Sequence, residues 1–361
     1  MVLENSLKID ALMYPDNSQL PFVTIAIPIL NEVAYIEKVL DSVVAQDYPV
    51  DSMEVILADG FSTDGTRELV EAFVQRQATR PGPCLPITLI DNPRRIVSTA
   101  LNEAIRIAQG EIIVRVDAHT IIAPDYVSQC VRALERSGAD GVGGPMISVG
   151  VGYTAEAIAL ATSTPFAIGN SKYRSSRYFQ EGYVETTHMG AYRKETLFDI
   201  GLFNEQFVRH QDYELDYRIR RKGGTIYLSP DIKSEYFVRA RMRKLWRQYV
   251  QYGFWKGRFL RQEKSSVRWR HVVPPLFVLT LLATFILGLF GLPLGKLAFA
   301  MLAGLYLFFI VAGGIYTCRG GNWKYLPVVP IIFACIHLGW GSGVCLGALL
   351  PDLLSPKEWP R

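Results

Sequence analysis

The sequence predicts an α/β protein with a doubly wound, mostly parallel sheet, followed by an amphipathic helix and a helical membrane region. Within residues 22–116, short β-branched apolar runs alternate with helical patterns at the spacing of about thirty residues that is typical of βαβ units. Several of these runs end in polar or glycine-containing turns. After residue 271 the chain becomes apolar over stretches long enough to cross a bilayer.

The first third of the chain provides the predicted sheet. Val, Ile and Leu dominate each short run, which indicates strands that are buried on both faces. Gly110 follows the third helical pattern and is predicted to cap that helix. The predicted strands are 22–30, 53–58, 87–90 and 112–116, and the predicted helices are 33–45, 66–74 and 96–108.

The middle of the chain has a less regular pattern. A polar, basic and aromatic stretch at 170–182 predicts a mobile loop, and the chain returns over 183–193. The other predicted elements are helices at 124–135, 195–201 and from 211 to 221, a glycine-rich strand or loop at 140–148, and a strand at 225–228.

Charge is distributed unevenly along the 361 residues. The formal net charge is +4, but the segment 239–270 holds eleven Lys and Arg against one acid, Glu263, and the remainder of the chain is acidic. A basic belt of this kind indicates an anionic partner, either a nucleic acid or a membrane surface. The five cysteines lack zinc-type spacing and are expected to be free thiols in a reducing compartment.

The sequence around this belt favours a membrane. Residues 242–262 interleave aromatic and basic side chains, which is typical of a helix in a membrane interface and also of RNA binding. Three apolar stretches without Lys, Arg, Asp or Glu follow directly, so we expect no nucleic acid partner. They lie at 272–293, 297–317 and 326–350.

These features divide the chain into a cytoplasmic domain (1–238), a basic interface segment (239–271) and a transmembrane region (272–361). Residues 1–17 have early acids and no apolar core of signal-peptide length, and the basic belt with Arg319 and Lys324 follows the positive-inside rule, so we expect the domain on the cytoplasmic side. Three spans would leave the C-terminus outside. Glycines in the third stretch predict close helix packing, although a re-entrant segment remains an alternative. His337 in this stretch is either functional or a helix-contact hydrogen bond.

Chemistry-bearing residues follow three of the predicted strands. They lie in IPILNE (27–32), ADGFSTDGT (58–66) and DAH (117–119). Because the carboxyl ends of parallel strands meet in one crevice, these residues are expected to form one site. Asp117 and His119 suit a divalent cation, completed by diphosphate oxygens, although a strand-end Asp that caps the next helix is the alternative. The combination predicts a nucleoside-diphosphate donor.

With these motifs the sequence resembles the family 2 glycosyltransferases of the GT-A fold. The matching segments are PILNE at 28–32, DGFSTDGT at 59–66, Asn102, DAH at 117–119 and QDYEL at 211–215. The DxH triplet and the apolar tail are most similar to the membrane-attached, ExoA-like type of succinoglycan biosynthesis. Two positions depart from the family pattern: Leu30 stands for Tyr, and Gln211 for Glu, which would raise the pKa of the neighbouring base less.

The resemblance implies roles for individual residues. Asp212 is the general base of an inverting displacement, and the alternative from the residues alone is a helix cap or an ion pair with Arg218 or Arg209. Asp117 and His119 hold Mg²⁺ or Mn²⁺. The other donor-site candidates are Pro28, Asn31, Glu32, Asp59, Asp64 and Ala118, and the candidates for the acceptor or the diphosphate are His188, Gly190, Arg218 and Lys256, the last with lipid contact as its alternative.

The sequence therefore predicts an enzyme of the inner membrane, with its catalytic domain facing the cytoplasm. It would move a hexose, glucose being expected, from a UDP-sugar to a lipid-linked (polyisoprenyl-diphosphate) saccharide in exopolysaccharide biosynthesis. Enzymes of the same polysaccharide assembly pathway are expected partners. The alternatives are a polyisoprenyl-phosphate glycosyltransferase and a non-catalytic nucleotide-sugar-binding subunit of a membrane synthesis complex.

Overall fold

The computed structural model of the chain describes residues 20–169, 173, 179–238 and 241–350. Most of the mobile loop predicted at 170–182 lies outside these residues, as does Arg239 at the start of the basic belt. The described part contains a sheet-based domain and a set of C-terminal helices. It confirms the predicted α/β class with its mostly parallel sheet.

The main sheet has eight strands, and its first four form the parallel half. Their order is β3-β2-β1-β4, and the sheet continues through β9, β6, β10 and β8, with antiparallel pairs around β9 and at the β8 edge. A second, three-stranded sheet has the order β5-β11-β7. The strands are β1 (Val23–Ile29), β2 (Met53–Asp59), β3 (Ile87–Asp91), β4 (Ile112–Arg115), β5 (Thr120–Ile122), β6 (Gly141–Gly143), β7 (Met146–Val149), β8 (Gly182–Val184), β9 (Ala191–Arg193), β10 (Ile226–Leu228) and β11 (Ser234–Phe237).

Helices cover both faces of the main sheet, so its strands alternate between two cores. Ile25 of β1 packs into one core, whereas the next residue, Ala26, packs into the other. This burial explains the near-continuous apolar runs in the sequence. The helices of the domain are α1 (Ile36–Val44), α2 (Thr66–Ala78), α3 (Val97–Ile107), α4 (Tyr126–Ser137), α5 (Tyr153–Thr162), α6 (Pro165–Ile168), α7 (Lys194–Asp199) and α8 (Gln211–Arg221).

Two local predictions are corrected. Helix α1 begins at Ile36 and not at residue 33, because residues 31–35 form a turn in which Asn31 has a left-handed φ of 56°. Helix α3 ends at Ile107 with Ala108 as its cap, so Gly110 does not cap it. Gly110 instead lies against the backbone of Thr24, where an added Cβ would overlap the Thr24 amide nitrogen. Its small size permits this close approach.

Four long helices form the C-terminal region: α9 (Met242–Gln262), α10 (Trp269–Leu289), α11 (Pro293–Cys318) and α12 (Val329–Leu349). Among the described residues, α10, α11 and α12 are long and apolar enough to cross a membrane. Helices α10 and α11 form an antiparallel hairpin, in which the rings of Phe277 and Tyr306 are 4.7 Å apart and those of Phe285 and Phe299 are 5.3 Å apart.

Protein covers the aromatic face of α9, the helix that the sequence predicted to lie in a membrane interface over residues 242–262. Phe254, Trp255 and Phe259 are at most 2% exposed and pack with Phe207 in a core cluster of their own. Trp246 is the exposed aromatic residue of this helix. The amphipathic pattern is real, but protein covers its apolar face.

His337 makes the predicted helix contact. Its Nε2 lies 2.6 Å from the carbonyl oxygen of Phe166 on α6, and its Nδ1 lies 3.1 Å from the hydroxyl of Tyr306 on α11. The Phe166 carbonyl can accept only from an N–H at Nε2, so Nδ1 accepts the hydrogen bond from Tyr306. His337 thereby joins α12 to both the domain and the hairpin.

Candidate active site

The predicted site residues after β1 and β2 lie side by side at the carboxyl edge of the sheet. Ile29 is in register with Asp59, so the turns that follow the two strands are adjacent. Asn31 Oδ1 accepts a hydrogen bond from the Thr63 amide at 2.8 Å, and Asp64 Oδ2 accepts one from the Val33 amide at 3.2 Å. These reciprocal bonds join the two turns into one rigid rim.

Asp64 therefore has a bracing role in this rim. Its Oδ1 accepts the Thr66 amide at 3.1 Å, and the Thr66 hydroxyl donates to the same oxygen. These bonds hold the pKa of Asp64 below its usual value, although desolvation acts in the opposite direction. Its role in donor binding stays a prediction. Because its carboxylate is bonded to backbone amides, Asp64 would act by holding the rim in place.

Asp59 is fully buried at the end of β2. Its carboxylate accepts hydrogen bonds from the Ser62 hydroxyl at 2.7 Å and from Arg67 Nη1 at 3.2 Å. The same Arg67 nitrogen lies 2.7 Å from Asp91 at the end of β3. Arg67 was not predicted from the sequence, and it joins the ends of two neighbouring strands. Asp59 thus anchors the turn that the donor is predicted to contact.

Arg115, the last residue of β4, occupies the centre of the site. Its guanidinium is 6% exposed and donates to Asp117 Oδ1 from Nε at 3.0 Å and from Nη2 at 2.8 Å. Its Nη1 forms an ion pair with Asp212 Oδ1 on α8. Asp117 and Asp212, which are far apart in the sequence, are therefore held around one cation. Sequence analysis did not identify Arg115.

The pKa values of the two acids in this ion-pair network are shifted in opposite directions. Burial alone would raise the pKa of Asp117, but Arg115, His188 and His119 hold it well below its usual range. Burial raises the pKa of Asp212 above its usual value; Arg115 opposes this rise and the charge of Asp117 adds to it. Asp212 is thus the more basic carboxylate, although its neighbour Gln211 carries no charge.

Helix α8 presents Asp212 in its first turn. His210, in a left-handed conformation with φ 62°, is the N-cap, so Asp212 does not cap the helix. Arg218 pairs with Glu214 and donates to the carbonyls of Ile200 and Leu202. The predicted alternatives for Asp212, a cap or a pair with Arg218, are therefore wrong, and Arg218 serves packing in place of the predicted phosphate contact.

His119 lies beyond Asp117, next to the turn after β1. Its Nδ1 is 3.7 Å from Glu32 Oε1, and its ring meets Tyr236 edge-on at 5.1 Å. Ala118 between the two predicted ligands is buried. Pro28 in β1 is half-buried on the neighbouring strand.

The side chains of Asp117 and His119 fit a divalent cation that also binds oxygens of a substrate. The two residues offer one carboxylate and one imidazole, and both Arg115 bonds to Asp117 use the same oxygen, Oδ1. In the described ranges, no group of three or more His, Cys, Asp and Glu side chains could hold a metal. A cation at this position would therefore need oxygens from a bound diphosphate to complete its coordination.

The loop before β9 forms the opposite wall, next to Asp117. The ring of His188 meets that of Tyr236 edge-on, with centroids 6.0 Å apart. The Met189 sulfur accepts a hydrogen bond from the Asp117 amide at 3.2 Å. The Gly190 carbonyl accepts the Arg115 amide at 3.2 Å. His188 and Gly190 thus lie at the site, where the sequence predicted the acceptor side.

Asp216, a residue that sequence analysis did not identify, holds this loop through hydrogen bonds. The fully buried carboxylate accepts hydrogen bonds from the Thr186 hydroxyl at 2.7 Å, the Thr187 amide at 3.0 Å and the Tyr192 hydroxyl at 2.9 Å. Burial raises the pKa of Asp216 to about 7. The hydrogen bond from Thr186 acts in the opposite direction, and the charge of Asp212 adds to the rise. Asp216 lies one helical turn after Asp212, so both carboxylates project from the same face of α8.

Lys256 does not contact lipid, which corrects one of its two predicted roles. It is 3% exposed, and its ammonium lies 3.2 Å from the ring centroid of Tyr213, the residue after Asp212. Burial, together with Arg270 and Arg220, lowers the pKa of Lys256 well below its usual value, against the opposite effect of Glu185. It remains a candidate for contact with phosphate.

Comparison with known proteins places these features in a family. The model of glycosyl transferase family 2 matches residues 24–201. The succinoglycan biosynthesis protein ExoA of Rhizobium meliloti is 30% identical over 325 residues, which cover 88% of this chain and 92% of that protein. A dolichyl N-acetyl-α-D-glucosaminyl phosphate 3-β-D-2,3-diacetamido-2,3-dideoxy-β-D-glucuronosyltransferase of Methanococcus voltae is 29% identical, covering 90% of this chain and 98% of its own.

A solved structure shares the fold. The mannosyltransferase PcManGT from Pyrobaculum calidifontis, in complex with GDP-Man and Mn²⁺, has a TM-score of 0.57 and 21% sequence identity. The match covers 93% of this chain and 89% of that one. It therefore extends beyond the sheet domain.

Proposed function

This chain belongs to glycosyl transferase family 2, and we propose that it moves a hexose from a UDP-sugar to a lipid-linked saccharide, with inversion. The names of two of its relatives support the acceptor class, since one protein acts in succinoglycan biosynthesis and the other on a dolichyl-linked amino sugar. The proposed pathway is exopolysaccharide assembly at the cytoplasmic face of the inner membrane. The apolar C-terminal helices support this location, because a polyisoprenyl carrier is met at the bilayer.

The observation that carries the proposal is the link from Asp212 through Arg115 to Asp117. It brings a buried, basic carboxylate to the carboxyl edge of a parallel sheet, next to the strand end where the donor diphosphate is proposed to bind. A direct displacement needs one base on the acceptor side and charge stabilisation on the leaving-group side. Asp212 would be the base on the acceptor side, and Asp117 with His119 would hold the cation that stabilises the leaving diphosphate.

The proposed reaction has one displacement step. Asp212 accepts the proton of an acceptor hydroxyl as its oxygen forms a bond to C1 of the donor sugar. The bond from C1 to the diphosphate oxygen breaks on the opposite face, and its electron pair leaves with the nucleoside diphosphate. The raised pKa of Asp212 suits this role, because a more basic carboxylate accepts the proton more readily.

The donor side is assigned to the rim after β1, β2 and β4. Glu32 and Asp59 are proposed to orient the nucleotide, with the backbone of Ala118 beside them. Pro28, Asn31 and Asp64 shape the rim. Mg²⁺ or Mn²⁺ held by Asp117 and His119 would supply positive charge to the departing diphosphate.

The acceptor side is assigned to the loop that Asp216 holds. His188 and Gly190 line the space beside Asp117 and Arg115, so an acceptor sugar on this wall would place a hydroxyl near Asp212. A site built on a braced loop positions its substrate more accurately than a free loop would. Enzymes of the same assembly pathway are the proposed partners that supply this acceptor.

The test is sugar transfer by the purified full-length protein in detergent, with a membrane lipid extract as acceptor source. We would use UDP- and GDP-sugars with Mn²⁺ or with EDTA. Asp212→Asn should lower transfer by about 10²- to 10⁴-fold, since a general base contributes an effect of that order. Binding of UDP should change less than twofold, because Asp212 is on the acceptor side.

Asp199→Asn is the matched control, as it makes the same chemical change on an exposed helix end. It should retain full transfer. Transfer to lipid that persists in Asp212→Asn would contradict the proposed base and favour a phosphate acceptor, which needs no base. UDP binding without turnover of any donor would contradict the enzyme and favour a nucleotide-sugar-binding subunit.

A further inference from the structure

Lys256 is a buried lysine whose amine makes no hydrogen bond with any residue that the structure describes. In the part of the chain that the structure describes, its ammonium has two aromatic neighbours, the Tyr213 ring at 3.2 Å and the Phe259 ring at 5.4 Å. The side chain is 97% buried. Contact with aromatic faces offsets only part of the free energy lost when an ammonium leaves water. A lysine in this environment lacks the anion that would balance it.

The groups around Lys256 do not supply that anion. Arg270 and Arg220 act on it as further positive charges, and Glu185 is the carboxylate that faces it. Both oxygens of Glu185 are already engaged, one by Arg268 at 3.3 Å and the other by Arg270. The backbone carbonyl of Glu185 accepts a hydrogen bond from Arg220 at 2.9 Å. Among the described residues, four basic side chains therefore gather around Glu185, whose carboxylate is already paired with two arginines.

We call the cluster of Lys256, Arg220, Arg268 and Arg270 the basic pocket; its members come from α8, α9 and the start of α10. Tyr213, which contacts Lys256, follows Asp212 in α8. Arg268 and Arg270 flank the start of α10, the first helix that is long and apolar enough to span a bilayer. The ring of Tyr213 also meets that of His271 in α10, with centroids 6.4 Å apart. The pocket thus contacts both α8, the helix that carries Asp212, and the start of α10.

We infer that this basic pocket binds the diphosphate that links the acceptor saccharide to its lipid. The inference rests on the proposed function and names the part of the acceptor that is recognised there. Guanidinium groups match phosphate oxygens in geometry, and an ammonium supplies a compact point charge. A diphosphate would give Lys256 the acceptors it lacks, its lipid would continue along α10, and its sugar would point toward Asp212.

The same chemistry is present in the donor diphosphate, but its proposed position is different. The donor is assigned to Asp117 and His119 at the end of β4, whereas the pocket lies where α8, α9 and α10 meet. A lipid-linked diphosphate has to reach the site from the bilayer, and Arg268 and Arg270 are at that approach. We therefore assign the pocket to the acceptor, and the test separates the two sources.

The experiment measures binding to the purified full-length protein in detergent. The probes are farnesyl diphosphate for the lipid source, farnesol as its uncharged counterpart, and UDP with Mn²⁺ for the donor source. Lys256→Gln should weaken binding of farnesyl diphosphate at least tenfold and leave the dissociation constant of UDP within twofold. Lys256→Arg, which keeps the charge, should bind farnesyl diphosphate more tightly than Lys256→Gln.

Lys244→Gln is the matched control, because Lys244 is an exposed lysine on the same helix. It should bind both probes like the wild type. Without ligand, Lys256→Gln should melt at the wild-type temperature or above, since it removes a buried amine whose protonated form burial destabilises; if it does not fold, Arg268→Gln replaces it and should show the same selective loss.

Three outcomes would overturn the inference: equal binding of farnesyl diphosphate by wild type and Lys256→Gln, wild-type binding of farnesol as tight as that of farnesyl diphosphate, or loss of UDP binding in Lys256→Gln. The last would assign the pocket to the donor. None of these measurements depends on sugar transfer, so a failure of the proposed reaction would be seen separately in the Asp212→Asn assay.

Discussion

Arg115 determines the charge balance of the candidate active site at the level of single residues. One buried guanidinium serves two carboxylates, so both Asp117 and Asp212 have an ion-pair partner. Removing one partner of a buried ion pair costs about 3–5 kcal/mol, because the other charge is left without compensation. Arg115 is therefore a positioning residue that also sets the proton affinity of the proposed base.

The pH dependence of transfer should reveal this effect. Arg115 lowers the pKa of Asp212, while burial raises it. Without the guanidinium the pKa of Asp212 rises, so a higher pH is needed to ionise the base. In Arg115→Gln, the acid limb of the kcat/KM profile at saturating Mn²⁺ should move to higher pH, and the loss of activity should be larger at pH 6 than at pH 8.

Arg115→Lys is the control for charge. It keeps a cation on β4 and should hold the acid limb closer to the wild-type position than Arg115→Gln does. Thermal unfolding of each variant would show whether the fold is intact. An acid limb that stays in place in Arg115→Gln, with the protein folded, would contradict the role of Asp212 as the titrating base.

Residues in recognisable motifs could be placed from the sequence, whereas their partners could not. Asp117 and His119 follow a predicted strand, where ligands commonly bind in α/β sheets, and Asp212 was identified through the resemblance to the family. Arg115 interrupts an apolar strand, and its partner Asp212 is 97 positions away. Asp216 did leave a signal, since an Asp one turn after a proposed catalytic Asp shares its helix face. Which loop it would hold depends on tertiary contacts that the sequence does not display.

Helices α9 and α12 pack together closely at the level of elements. Glycines on both helices form the contact, and an added Cβ at Gly253 or Gly257 would overlap a carbonyl oxygen of α12. The same holds in reverse for Gly343 against Val250 and for Gly347 against Phe254. The glycine spacing in the third apolar stretch correctly predicted close packing, but the partner is the amphipathic helix and not only another apolar helix.

Gly347→Ala tests the importance of this contact. The added methyl group would meet the Phe254 carbonyl, so one helix has to move away and the variant should lose about 1–3 kcal/mol of stability. We would measure the unfolding temperature in detergent. Gly304→Ala in α11 is the control, because an added Cβ there meets nothing within 4 Å. An unfolding temperature of Gly347→Ala equal to that of the control would contradict tight packing.

The amphipathic helix also shows the limit of pattern analysis. Its alternation of basic and aromatic residues predicted the bounds of α9 correctly. The same alternation does not reveal whether lipid or protein covers the apolar face. Trp255 and Phe254 are covered by protein because the chain returns, through α12 and through α8, to the two sides of this helix. That return depends on contacts between distant segments.

At the level of the whole molecule, α10 and α11 form a projecting hairpin and α12 lies across its base. Half of the most apolar stretch of α12 is buried in protein, against 6% for α10 and 17% for α11. Helix α12 contacts the hairpin near Pro274 of α10 and near Gly314 of α11. Both residues lie in the half of their helix that adjoins the domain. Near the tip, Leu282, Leu297 and Met301 are exposed, as expected of residues that face lipid.

The direction of α12 follows from its contact with α9. Met242 meets Cys335, Val250 meets Gly343 and Arg261 meets Ala348, so the two helices run in the same direction along their length. Helix α9 carries several Lys and Arg and is packed against the domain. Placing such a helix in the hydrocarbon core would be costly for every charge. We therefore expect α12 to lie with α9 at the membrane surface.

Composition alone could not decide this arrangement. Length and apolar character predict that α12 spans the bilayer, and on that basis the C-terminus would be outside. A helix that is buried against protein has the same composition as one that is buried in lipid. The sequence could therefore establish three apolar helices and a membrane-attached domain, whereas the number of crossings depends on how α12 packs.

The number of crossings can be measured by cysteine labelling in right-side-out membrane vesicles. In a background without the five native cysteines, Leu292→Cys marks the hairpin tip and Ser355→Cys marks the C-terminal end. Two crossings predict that a membrane-impermeant maleimide labels Leu292→Cys in intact vesicles and labels Ser355→Cys only after permeabilisation. Because α10 has 21 residues, about 32 Å of helix at 1.5 Å per residue, it can carry Leu292 across a core of about 30 Å. Labelling of Ser355→Cys in intact vesicles would show instead that α12 crosses the membrane. Helix α9 would then have to leave the membrane surface or separate from α12.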